Sequence, residues 1–136
     1  MSGVKSHREL IVWQKAMDLA VLTYEFTKAL PKTEQYGLTS QLLRAASSVP
    51  ANIAEGNARY SRKDYARFVG IARGSVVELE THIELAVRVK LLEQSAVASA
   101  LVLTDEVGRM LNVLHAKLVQ SDNGFAEEDQ DYLPSP

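Results

Sequence analysis

Four stretches of the chain repeat apolar residues at every third or fourth position, and no stretch alternates them in twos, so the pattern is helical throughout. The first runs over residues 8–30 without Gly or Pro. Trp13, Met17, Ala20, Tyr24 and Thr27 form one row, read as the buried face. At about 100° per residue, Ile11, Val12, Leu19, Leu22, Phe26 and Leu30 fall on the other side, leaving a narrow polar strip of Gln14, Asp18 and Glu25. A helix with two apolar faces has two surfaces to bury. The second face is therefore expected to meet another subunit, with a wide core stripe as the alternative.

Pro31 ends this helix, because the residue before a proline is pushed out of the helical region. The second helix is predicted over residues 39–56. Thr39 is its expected N-cap, Leu38 and Leu43 make a hydrophobic staple, and Leu38, Leu42, Ala45, Ala46, Val49 and Ile53 form its core face. Pro50 removes an amide donor and predicts a bend, with Ser47 and Ser48 near the stranded carbonyls. Gly56 reads as the C-terminal cap.

The third helix, residues 62–91, starts from Ser61 as N-cap with Asp64 three positions on. Tyr65, Phe68, Val69, Ala72, Ser75, Val76 and Leu79 share its core face. Arg62, Lys63, Arg67 and Arg73 share another, and a row of small residues, Ala66, Gly70 and Gly74, runs among them. Each glycine inside a helix costs roughly 1 kcal/mol relative to alanine. Close approach of a neighbouring helix, a second subunit or a ligand's phosphates would offset that. Ser95 is expected to cap the fourth helix, residues 95–120, whose core stripe is Ala100, Leu103, Val107, Met110, Leu111, Leu114 and Leu118. Four amphipathic helices with short connectors predict an all-α fold, an antiparallel up-down-up-down four-helix bundle.

Composition adds bounds to this picture. The 136 residues fit one domain, residues 1–120, large enough to bury roughly 68% of its unfolded surface. Cysteine is absent, which removes disulfides and thiolate metal sites and is compatible with a reducing compartment. No apolar run approaches the roughly 20 residues of a membrane span, so a soluble, cytoplasmic protein without membrane partners is expected. Net charge is −2, but residues 121–136 hold five acidic residues and no Lys or Arg, leaving the body at +3. That segment is read as a flexible acidic tail.

Candidate chemistry is sparse. His7, His82 and His115 lie far apart, without the His-Glu-x-x-His or paired Glu-x-x-His spacing of metal sites, so no metal is expected. Phosphate loops, nucleophile elbows and dinucleotide fingerprints are missing, and no catalytic residue, cofactor or small-molecule substrate is expected. Six basic residues around the junction of helices two and three, Arg44, Arg59, Arg62, Lys63, Arg67 and Arg73, are the candidate nucleic-acid contacts. Tyr60 and Tyr65 stand beside them as stacking candidates. Glu55 with Arg59, and Arg73 with Glu78 or Glu80, are candidate ion pairs, either between subunits or on the surface. The candidate subunit contacts are Ile11, Leu19, Leu22 and Phe26 on helix one and Ala66, Gly70 and Gly74 on helix three.

The segments Val12-Trp-Gln-Lys-Ala16, Gln41-Leu-Leu-Arg-Ala-Ala46, Ser48-Val-Pro-Ala-Asn-Ile-Ala-Glu-Gly56 and Ile71-Ala-Arg-Gly-Ser75 resemble the bacterial four-helix-bundle family of 23S rRNA intervening-sequence proteins. The resemblance spans residues 8–120, and Asn52-Ile-Ala-Glu-Gly56 is its most specific block. It implies an antiparallel bundle assembled into a ring-shaped homopentamer without established enzymatic activity. A related branch, the accessory proteins of diversity-generating retroelements, is similar in fold and implies nucleic acid and a nucleic-acid enzyme as partners. This chain differs from that branch in its calculated pI of about 5.9. Two functions follow as expectations: a nucleic-acid-associated ring, and an oligomeric adaptor for another protein.

Overall fold

The computed structural model describes residues 6–120; the tail expected over residues 121–136 lies outside them. Four long helices carry the fold: α1 Ile11–Phe26, α2 Leu38–Asn57, α3 Arg62–Arg88 and α4 Gln94–Val119. Short 3₁₀ turns at His7–Glu9, Thr27–Ala29 and Lys32–Glu34 flank α1 and lead into α2. Each of α1 and α3 packs on both α2 and α4, giving a square arrangement. One core cluster joins Leu19 and Phe26 of α1, Leu42 and Ala46 of α2, Leu79 and Ile83 of α3 and Val97 of α4. The other joins Val12, Ala16, Val49, Ile53, Val69, Val107 and Leu111. The end of one helix thus meets the start of the next, as an antiparallel up-down-up-down bundle requires.

The helix ends show which local signals prevailed. Ser61 caps α3 as expected, accepting a 3.0 Å hydrogen bond from the Asp64 amide. At α2 the carboxylate of Glu34 accepts from the Leu38 amide at 3.2 Å, so the helix begins before Thr39. Glu93 precedes α4 and Ser95 lies inside its first turn. α3 ends at Arg88, short of residue 91, because Lys90 adopts φ 68°. The Lys90 amide then donates to the Val87 carbonyl, and the Leu91 amide to that of Ala86. This left-handed closure usually falls to glycine, and here a lysine carries it.

Pro50 lies buried inside an α2 that continues to Asn57. Side-chain bonds brace the ladder on both sides of it. The Ser47 hydroxyl donates to the Leu43 carbonyl at 2.9 Å, and the Asn52 amide donates to the Ser48 carbonyl at 2.8 Å.

The two faces of α1 exchange roles only in part: of the row read as buried, Thr27 is buried and Trp13 and Ala20 pack against the core, while Met17 and Tyr24 turn outward. Val12, Ala16, Leu19, Thr23 and Phe26 are the buried residues, and Leu22 packs against the same core. Trp13 is half-buried, while Met17 and Tyr24 are 39% and 52% exposed. Leu19 and Phe26 are therefore core residues, not subunit contacts, and Leu22 is partly buried against the same core. Both rows are apolar, so periodicity alone could not rank them. Thr23 disguised the core row by being polar; its hydroxyl donates to the Leu19 carbonyl at 2.8 Å, which lets it be buried without an unsatisfied group.

Candidate functional site

The six basic residues do not form one face. Arg44 on α2 borders a polar crevice of about 470 Å³ with Gln41, Ser47, Ser48, Ser75 and Glu78. Ser48 and Ser75 share a 2.7 Å hydrogen bond at its floor, and the Asn52 amide reaches the Ser48 hydroxyl at 2.9 Å. Ser75 is buried, so it clasps α3 to α2 as the reading of its core direction implied.

Arg62 leaves this group altogether. Its guanidinium donates to the carbonyls of Lys117, Leu118 and Gln120, closing the C-terminal end of α4. A cation there satisfies orphan acceptors and opposes the negative end of the helix dipole. Its role is structural, which corrects its placement among the nucleic-acid contacts. Arg73 is half-buried on the α4 side of α3. Together with burial, which is the larger cause, its charge lowers the pKa of His115.

Arg59 and Arg67 remain together, and Phe68 is the reason. Their guanidinium carbons lie 4.7 and 4.5 Å from the centroid of its ring, within the range of cation–π attraction. Glu55 pairs with Arg59 at 2.8 Å within the same chain, and Asp64 stands 3.9 Å from Arg67. Lys63 lies exposed in the adjoining first turn of α3. Tyr60, at the turn between α2 and α3, is fully exposed. Tyr65 is half-buried and its hydroxyl accepts a long hydrogen bond from Asn57.

The small-residue row is also redistributed. Ala66 is buried in the monomer core, so it is not a subunit contact. A side chain at Gly70 would meet only His115, at 3.9 Å, and one at Gly74 would meet nothing within 4 Å. The close approach belongs instead to Gly56. A Cβ there would lie 2.9 Å from the Phe68 Cβ and 3.2 Å from the Tyr65 carbonyl oxygen. Gly56 is therefore where α3 crosses α2, not a terminal cap, and among the described residues no glycine has positive φ.

Two apolar grooves flank α1. On the α2 side Trp13, Met17, Val21 and Tyr24 face Pro50, Ala51 and Ala54 around about 570 Å³. On the α4 side Ile11 and Leu10 face Met110, Val113 and Leu114 around about 400 Å³. Ile11, 53% exposed, is the one helix-one candidate that keeps an outward position. Of the groove residues on the α2 side, Met17 and Tyr24 belonged to the row read as buried and are exposed, while Trp13 of the same row lines the groove and also packs against the core. Lys15 of α1 pairs with Glu106 of α4 at 2.9 Å.

Among the described residues no group of three His, Asp or Glu side chains is placed to hold a metal, and no helix is long and apolar enough to cross a membrane. What the fold defines is a small antiparallel helical-bundle protein, with an apolar groove on each side of its first helix. The Ser48–Asn52–Ser75 clasp and the Gly56 crossing explain why its most distinctive sequence block is structural. The chain belongs to the 23S rRNA-intervening sequence protein family, whose profile matches residues 8–113. Among solved structures it is similar to a protein of unknown function from the S23 ribosomal protein family of Bacteroides thetaiotaomicron. That match has 24% identity and a TM-score of 0.71, covering 82% of this chain and all of the other. At that identity the likeness speaks for the fold. A search of the curated proteins finds no match.

Proposed function

We propose that this protein is a non-enzymatic, cytoplasmic scaffold that closes into a homo-oligomeric ring of five copies and associates with RNA or DNA through the end of the bundle where α2 turns into α3. The observation that carries the assembly is the pair of apolar grooves beside α1. Met17, Val21 and Tyr24 are 39%, 54% and 52% exposed on one side, and Ile11 and Val113 53% and 56% on the other. A cyclic ring needs two different patches on each subunit, and in a ring of five their outward directions differ by about 108°. Adjacent sides of a square bundle differ by about 90°, which suits a small closed ring far better than opposite sides would. The resemblance to a pentameric family selects five.

Light scattering tests this directly. The expected mass is near five chains, and Met17→Glu is expected to release folded monomers, because a carboxylate buried in an apolar contact costs several kcal/mol. A 15.0 kDa species for the unchanged protein at micromolar concentration overturns the reading.

The nucleic-acid part rests on Arg59, Arg67 and Tyr60 at one exposed end, repeated in every subunit so that weak contacts gain avidity. A labelled RNA whose mobility shifts with the protein, and shifts less as salt rises, is the expected result. The second reading, an adaptor for another protein, is favoured if the α1–α2 groove is free in the assembled particle. A partner retained equally well after nuclease treatment is its signature.

A further inference from the structure

We infer that the α2–α3 end recognises unpaired bases by stacking, so that its ligand is single-stranded nucleic acid and not a duplex. The inference rests on the nucleic-acid reading above and narrows it. Duplex binding draws on cations spread along an extended face to follow the phosphates. That face is shortened here to Arg59, Lys63 and Arg67 at one end: Arg62 is held by the end of α4, Arg73 is half-buried toward His115, and Arg44 borders a separate crevice.

What remains is flat surface. Phe68 has the guanidinium carbons of Arg59 and Arg67 over its ring at 4.7 and 4.5 Å, and both side chains stay open to solvent at 40% and 58%. Glu55 and Asp64 beside them reduce the local positive charge, which weakens phosphate attraction while leaving the planes in place. Tyr60 is fully exposed in the connecting turn and makes no contact that would explain a large aromatic there. Aromatic rings and arginine planes offered together to solvent match the way unpaired bases are bound, because every base has a π-face and no particular sequence is needed.

This recognition differs from phosphate binding in its salt dependence. With one or two phosphates engaged per subunit, the slope of log affinity against log salt should be shallow, about 0.7 per contact. The test uses fluorescence anisotropy with labelled oligo(U) and oligo(dT) of about twelve nucleotides, a length covering typical single-strand sites, and a blunt RNA duplex of equal length. Both single strands are expected to bind at least roughly tenfold more tightly than the duplex. Tyr60→Ala and Arg67→Lys should each weaken them about tenfold with the salt slope unchanged, since the first removes a ring and the second keeps charge but loses the plane. Circular dichroism should show unaltered helicity in both variants.

Duplex binding as tight as single-strand binding overturns the inference and leaves the broader nucleic-acid reading standing. So does undiminished binding by both variants, which would place the contact elsewhere on the surface. Absence of binding by either form at low salt overturns both readings.

Discussion

The two sides of α2 were built differently. Toward α3 the seam is closed: Gly56 lets the helices touch, Ser48, Asn52 and Ser75 knit them by hydrogen bonds, and Phe68 lies under two arginines. Toward α1 it opens into a groove of about 570 Å³ lined by Trp13, Met17, Val21, Tyr24, Pro50 and Ala51. The closed seam needs small residues and satisfied polar groups, which fix register within one chain. The open one leaves large apolar side chains in water, an arrangement that gains free energy only when something covers it. The difference separates what holds the monomer from what is available for assembly.

Gly56→Ala breaks the closed seam most severely. Alanine gains helix propensity, but its Cβ would press on Phe68 and on the Tyr65 carbonyl, so a net loss of about 2 kcal/mol is expected in urea melts. Unchanged stability would mean that the crossing relaxes freely. Gly74→Ala supplies the contrast on the same pair of helices. With open space around the added carbon, it should stabilise the monomer by roughly 0.5–1 kcal/mol. If it instead lowers the assembled mass, Gly74 is a contact between subunits and the sequence reading of the small-residue row is restored there.

The smallest effect concerns pH. His115 has its pKa lowered by burial and by the nearby Arg73 charge, so the unfolded chain binds a proton that the folded one resists. Stability should therefore fall as pH drops through about 6.5, the unfolded value, and level off below the folded pKa. His115→Gln is expected to flatten that part of the profile, measured as the midpoint of chemical unfolding from pH 7.5 down to 5.5.

Helix number, order and approximate limits were legible in the sequence because each apolar stripe repeats with the period of one turn and Pro31 and Ser61 punctuate them. The local signals failed where two solutions were equally cheap. Thr39 and Ser95 are good caps, yet Glu34 reached the first free amide of α2, and α4 starts after Glu93 without a side-chain cap. The basic cluster looked continuous because helical projection ignores what neighbouring helices offer. The carbonyls at the end of α4, 55 residues away in sequence, drew Arg62 out of it.

The sequence by itself determined four amphipathic helices and their antiparallel order, both consequences of periodicity and short connectors, and its Ser48–Gly56 block carried the resemblance that points to the family. Tertiary structure alone decided which apolar face of α1 went inward, that Gly56 and not Gly74 marks the helix crossing, and which arginines remain available for a ligand. These depend on how side chains from different helices fill shared space, and one helix's pattern says which residues seek burial without saying which neighbour will cover them.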